Sequence, residues 1–314
     1  MRIVFLGTPD FAVASLRALV ENNFDVVGVV TMPDKKSGRG MKIQQSAVKK
    51  YAVAKGLFIL QPENLKDEVF QTELKKLNPD LQVIVAFRML PASVWQLPKF
   101  GTFNLHASLL PNYRGAAPIN WAIINGEEET GVTTFFLEHE IDTGEIIDFT
   151  KIEIGPKETA GELHDKLMTI GADLVVKTTR KICDGSVTTQ KQDDSSLGQK
   201  PKLAHKIFKD TCRINWEEKA NEVHNLIRGL SPYPGAFSNL IFPDGREVIV
   251  KIFKAEEGDE KLSPGAIKSD GRRLFFVGCG QGSIQINELQ IAGKKRMLVQ
   301  NFLQGINLDG VTLN

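Results

Sequence analysis

The stretch from Met1 to Thr31 leaves few folds open to this chain. Arg2 to Leu6 is a short apolar run of strand character, Gly7-Thr8-Pro9-Asp10 is a turn, and Leu16, Leu19 and Val20 recur at helical spacing up to about Asn22. Thr8 is placed as the N-cap of that helix and Pro9 as its first residue, where a missing amide costs nothing. A second strand, Phe24 to Thr31, follows. Strand, helix, strand in that order points to a parallel sheet with a right-handed crossover. The alternation continues with a helix from Ser46 to Lys55, a strand from Leu57 to Leu60 and a helix from Asp67 to Leu77. Leu81 to Ala86, LQVIVA, is then a near-continuous apolar strand of the kind buried on both faces. Gly7-Thr8-Pro9 is not the Gly-x-Gly-x-x-Gly phosphate cradle, and Pro9 lacks an amide that such a cradle uses, which argues against dinucleotide binding.

The chemistry concentrates between Gly101 and Gly126, GTFNLHASLLPNYRGAAPINWAIING. Thr102 to Ala107 alternates as a strand does, so Asn104 and His106 project from one face. The strand runs into Ser108-Leu109-Leu110-Pro111, then a loop with Tyr113, Arg114 and Gly115, and Pro118 opens the next helix. Open α/β sheets place ligands at such strand ends. An amide beside an imidazole suits acyl transfer: Asn104 can bond a carbonyl oxygen as it becomes an oxyanion, and His106 can donate to it or pass protons. Downstream, Asp142-Thr143-Gly144 reads as a tight turn in which Asp bonds its own backbone and Gly supplies positive φ. Placed near His106, its carboxylate would instead orient the ring for proton traffic. The bland readings, a structural histidine and a plain turn, stand beside these.

With 39 basic and 38 acidic residues the chain carries a formal charge of +1, so no overall field recruits nucleic acid. Locally, Lys35, Lys36, Arg39, Lys42, Lys49 and Lys50 face a single acid, Asp34, between Pro33 and Lys50. Cys183, Cys212 and Cys279 are odd in number and widely spaced, against a disulfide framework or a zinc cluster, and are expected to be buried free thiols. Asn, His and Asp are arranged for hydrogen bonding, so no metal is expected. Met1 to Leu6 is too short for a signal peptide and no run approaches a membrane span, so a soluble, cytoplasmic monomer is expected. A long helix from Thr159 to about Asp184 opens on a Thr159/Glu162 capping box, and Val187 to Gln190 is a further short strand. Gln192 to Pro201 is polar and aperiodic, a linker signature. Beyond it lie one amphipathic helix, Glu217 to Arg228, and short strands with hairpin signals at Asp244-Gly245 and Asp270-Gly271, which suggests a small barrel.

The run Asn104-x-His106-x-Ser108-Leu109-Leu110-Pro111-x-Tyr113-Arg114-Gly115-x-x-Pro118, with Asp142-Thr143-Gly144 downstream, resembles the signature of the folate-dependent formyltransferases. Gly7-Thr8-Pro9-Asp10-Phe11, Gly38-Arg39-Gly40 and Arg228-Gly229-Leu230-Ser231-Pro232-Tyr233-Pro234-Gly235-Ala236 extend the resemblance over nearly the whole length, toward the tRNA-directed members. The resemblance implies an α/β protein: a Rossmann-like parallel-sheet formyltransferase domain over 1–190, a linker over 191–205, and an OB-like, tRNA-binding β-barrel over 206–314. It implies formyl transfer from 10-formyltetrahydrofolate, a co-substrate, to the free amino group of methionyl-initiator tRNA, with Asn104, His106 and Asp142 as the catalytic trio. Ser108, Leu109, Leu110, Pro111, Phe87, Arg88 and Leu90 would bind the folate. Arg39, Lys35, Lys36, Lys42, Lys206 and Lys209 would meet the tRNA, with Arg272, Arg273, Lys294, Lys295 and Arg296 as further phosphate contacts. The chain departs from the family at Phe87-Arg88, where most tRNA-directed members carry Tyr-Gly, and at Glu140, where Gly is usual. The rival readings are transfer to another amine, such as glycinamide ribonucleotide or a nucleotide amino sugar, and a tRNA-binding protein without catalysis.

Overall fold

The computed structural model describes residues 1–37, 42–194 and 200–314. The basic Gly38-Arg39-Gly40 segment, and 195–199 of the expected linker, lie outside the described residues. The chain forms two compact units, one of residues 1–115, 131–152 and 164–203, the other of 116–130, 153–163 and 204–314.

The first unit is built on a seven-stranded sheet. Its spatial order is Ile146–Glu153, Glu129–Phe136, Thr102–His106, Leu81–Val85, Arg2–Gly7, Asp25–Val30 and Ile59–Leu60. The strands from Thr102–His106 to Ile59–Leu60 pair in parallel, whereas Glu129–Phe136 runs antiparallel to Thr102–His106. Ile3 to Leu6 and Leu81 to Val85 are buried throughout, as strands covered on both faces must be. Chain order reverses between Arg2–Gly7 and Leu81–Val85, which makes a switch point at their carboxyl ends. Gly7 is needed there by close approach: a Cβ would stand 2.6 Å from that of Ala12 and 3.1 Å from the Val85 carbonyl oxygen.

Three helices start on side-chain caps. Ser46 Oγ accepts from Lys49 N at 3.0 Å before Ala47–Ala54, and Asp67 Oδ1 from Phe70 N at 2.9 Å before Glu68–Lys76. Thr159 and Glu162 form the expected capping box of Ala160–Cys183. The first helix differs. It spans Asp10–Glu21 with Pro9 in the N-cap position, so Thr8 lies one residue too early to cap it, and its buried Oγ1 has no partner among the described residues. The strand expected at Val187 to Gln190 is reduced to one bridge, Ile146 with Gln190. Cys212 and Cys279 are buried, and burial pushes the Cys279 thiol up to about 11, but Cys183 closes its helix exposed, contrary to expectation.

The second unit contains an antiparallel sheet in the order Ile267–Ser269, Phe275–Gly278, Ser283–Ile291, Glu247–Gly258, Ala236–Ile241, Thr312–Leu313, with Met297–Leu298 on Ser283–Ile291. A bridge between Ala266 and Thr312 joins its two ends and curls it into a barrel. Phe275 stacks on Phe302 at 5.6 Å in the interior. The helix expected from Glu217 starts later, at Ala220, because the Asn215 side chain accepts from Glu217 N and holds a local turn. Both Asp-Gly hairpins form. In the second, Asp270 Oδ1 accepts backbone hydrogens of Arg272, Arg273 and Leu274, which holds its carboxyl at about 2. A depressed carboxyl contributes stability above its unfolded value, near 3.9, that is lost as pH falls through the folded one. The protection of those three amides, taken against the intrinsic exchange rate at each pH, should therefore fall as pH drops from about 4 to about 2.

Candidate active site

Every residue of the candidate trio lies in the first unit. The period-two pleat sets Asn104 and His106 on one face of Thr102–His106, and Asp142 comes from the loop after Glu129–Phe136, the neighbouring strand. Asn104 is half-buried, and its side-chain amide makes no hydrogen bond among the described residues. His106 is buried, edge-on to the Phe135 ring at 6.5 Å. Its Nε2 lies 2.8 Å from the Tyr113 carbonyl oxygen. A carbonyl only accepts, so Nε2 carries the hydrogen and the neutral ring presents its lone pair at Nδ1. That nitrogen faces Asp142 Oδ2 at 3.8 Å, too far for a direct hydrogen bond. Asp142 Oδ2 instead accepts from Gly115 N at 2.9 Å.

The loop between His106 and Gly115 is pinned from within. Thr133 Oγ1 donates to the Ser108 carbonyl at 2.7 Å and lies 3.2 Å from Leu110 N. The Ser108 hydroxyl donates to Asn112 O at 2.7 Å, and Tyr113 N to Lys202 O at 2.6 Å, with Tyr113 at φ 62°. These bonds aim the Tyr113 carbonyl and the Gly115 amide, two groups with direct duties at the site that the motif reading gave no role. Their sequence signal, Tyr-Arg-Gly after the proline, was visible, but backbone groups leave no side-chain signature.

Of the other expected residues, Leu90 and Leu110 are buried, while Leu109, Pro111 and Phe87 are half-buried. The Arg88 guanidinium donates to the carbonyls of Pro62 and Glu63. Lys35 is exposed, and Lys36 and Lys42 lie in two short paired strands, Lys35–Ser37 and Lys42–Gln44. Lys49 pairs with Asp34 at 2.6 Å, which removes the one acid of that stretch together with one of its cations. Lys206 and Lys209 are exposed, with Lys206 Nζ 5.6 Å from the Phe208 ring centroid. Arg272, Arg273, Lys294 and Lys295 are exposed; Arg296 is held by Glu288 at 2.6 and 2.7 Å and stacks on Phe253. Among the described residues no group of three or more His, Cys, Asp or Glu side chains is placed to hold a metal ion, and no helix is long and apolar enough to cross a membrane.

A parallel sheet thus carries an amide, an imidazole and a carboxylate at its strand ends, in one chain with an antiparallel barrel. The formyl transferase family model matches residues 1–179, and the model of the formyl transferase C-terminal domain matches 206–307. The chain belongs to the formyl transferase family. It is 52% identical over 310 residues to a methionyl-tRNA formyltransferase of Bacteroides fragilis, covering 98% of this chain and 96% of that one. It is 54% identical over 309 residues to one of Azobacteroides pseudotrichonymphae, covering 97% and 95%. Among solved structures, the sugar 3N-formyl transferase WlaRD superimposes with a TM-score of 0.65 at 23% identity, over 94% of this chain and 99% of that one. An N-formyltransferase from Helicobacter canadensis does so with 0.65 at 23%, over 90% and 98%. At that identity these two speak for the fold.

Proposed function

We propose that this enzyme transfers the formyl group of 10-formyltetrahydrofolate to the α-amino group of methionine esterified to initiator tRNA, for translation initiation in the cytoplasm. The observation that carries the chemistry is the His106 ring, whose bond to the Tyr113 carbonyl leaves Nδ1 as a proton acceptor beside a carboxylate. The names of relatives that share half of its residues over nearly the whole chain support the acceptor.

Nδ1 of His106 takes the proton that an attacking amine must shed, and the Asp142 carboxylate stabilises the imidazolium so formed. His106 then hands the proton to the nitrogen that leaves. With Nε2–H committed to Tyr113, the neutral ring has no hydrogen for an oxyanion, which favours the proton-passing role of His106 over the donor role. The Asn104 amide, unpartnered among the described residues, is the oxyanion donor, an interaction that commonly contributes about 10²- to 10³-fold.

Ser108, Leu109, Leu110 and Pro111, with Phe87, Arg88 and Leu90, are proposed as the folate-binding walls. Leu90 and Leu110 are buried and the Arg88 and Ser108 side chains bond to backbone carbonyls, so the fit rests on the half-buried Phe87, Leu109 and Pro111, on main-chain groups at strand ends and on Thr8 Oγ1, unpartnered among the described residues at the carboxyl end of Arg2–Gly7. Lys35, Lys36, Lys42, Lys206 and Lys209, with Arg39, are proposed as tRNA contacts, by a monomer whose domains divide at 191–205. The test offers a radiolabelled formyl donor with charged initiator tRNA, glycinamide ribonucleotide or a nucleotide amino sugar. Formylation of the tRNA alone is expected, and preferred transfer to either other amine overturns the reading. In the same assay Arg39→Ala should raise KM for tRNA and leave KM for the donor unchanged, whereas Lys35→Ala should flatten the salt dependence by about one counterion.

A further inference from the structure

We propose that Gln192, which falls in the polar stretch read as linker, is a positioning residue that holds the backbone of Asp142 so that its carboxylate faces His106; this rests on the roles given above to His106 and Asp142.

Asp142 sits at φ 56°, in the left-handed region that residues with a side chain rarely occupy. Two carbonyls of its turn, those of Asp142 and Gly144, accept the hydrogens of Gln192 Nε2 at 2.8 and 2.9 Å. On the other side Gln192 Oε1 accepts from Arg114 Nε and Nη2 at 3.0 and 2.7 Å. Arg114 in turn pairs with both oxygens of Asp194, at 2.8 and 3.1 Å. The partners fix the orientation of the amide: arginine only donates and carbonyls only accept. A glutamine suits the position because it asks for two donors on one side and an acceptor on the other. Glutamate, identical in shape, supplies acceptors alone and would set a charge against two carbonyls.

The clamp is part of a closed frame. Tyr113 O accepts His106 Nε2–H, the Arg114 guanidinium donates to Gln192 Oε1, and Gly115 N donates to Asp142 Oδ2, so three consecutive residues address the imidazole, the clamp and the carboxylate. His106 and Asp142 share no direct hydrogen bond, so their 3.8 Å separation is set by this frame and not by each other. Gln192 closes it, and every member lies in the first unit.

The test is a double-mutant cycle on the full-length enzyme, with Gln192→Glu and Gln192→Met each made in the wild type and in Asp142→Asn. In the wild type, kcat should fall about 10- to 100-fold while KM for the donor and for charged tRNA stays within about threefold, because misplacing a reacting group costs rate before it costs binding. In Asp142→Asn either substitution should change kcat by less than about twofold, since a carboxylate that is absent cannot be misplaced. A full further loss in that background, a change confined to KM, or wild-type kcat in both variants overturns the proposal. If Gln192→Glu does not fold, Gln192→Met carries the cycle alone. Wild-type turnover in Asp142→Asn by itself defeats the underlying reading and the proposal with it, and is recognisable because it appears in the single variant.

Discussion

His106→Ala should lower the single-turnover rate of formyl transfer by about 10²- to 10⁴-fold, the range a positioned acid or base contributes. KM for the formyl donor should barely move, because the ring is buried behind the strand end and offers a ligand only its Nδ1 edge. Alanine also leaves the Tyr113 carbonyl without its partner, so a loss of rate in that variant mixes two causes. His106→Gln separates them. A glutamine amide can donate to a carbonyl and so preserve the loop, but it has no nitrogen that accepts and releases a proton near neutrality. Proton transfer through Nδ1 requires His106→Gln to be about as slow as His106→Ala. A rate near wild type would leave His106 a holder of the Tyr113 loop and move the proton chemistry elsewhere.

Much of this frame was legible in the chain. Apolar runs separated by a capped helix dictated the parallel sheet, and the pleat put Asn104 beside His106 on one face because strand periodicity is independent of tertiary context. What failed were features decided by the partner and not by the residue. Thr8 looked like an N-cap, yet the helix begins one residue later than such a cap requires, and its hydroxyl has no partner among the described residues. Gln192 sits 78 residues from Arg114, in a stretch whose polarity and lack of period describe a linker equally well. No pattern in a sequence distinguishes an amide that faces solvent from one that spans a guanidinium and two carbonyls.

Asp142-Thr143-Gly144 is more than the tight turn its residue types suggest. As a simple turn, Gly144 would be there to adopt positive φ, and an alanine would cost only backbone strain. In the structure the left-handed conformation falls on Asp142, at 56°, and Gly144 serves a different need. A Cβ at that position would stand inside the contact radius of the Phe136 carbonyl oxygen, a backbone atom of the sheet that cannot swing aside as a side chain can. Phe136 N donates to Glu145 O at 3.0 Å, which ties the strand to the far side of the same turn. Gly144→Ala must therefore lift the turn off the strand and carry Asp142 with it. Overpacking of this kind costs about 1–3 kcal/mol of stability, occasionally more, and a displacement of about 1 Å at a reacting group costs roughly 10² in rate. The variant should melt several degrees lower yet remain folded at 25 °C, with kcat down by about two orders of magnitude and KM for tRNA nearly unchanged. Gly245→Ala, at a hairpin tip of the barrel where φ is 81° and nothing stands within 4 Å of a new Cβ, is the control. It should lose some stability to strain and none of its turnover. Equal turnover in the two variants would show that Asp142 tolerates a shifted turn, and the distance to His106 would then not be the quantity this loop is built to hold.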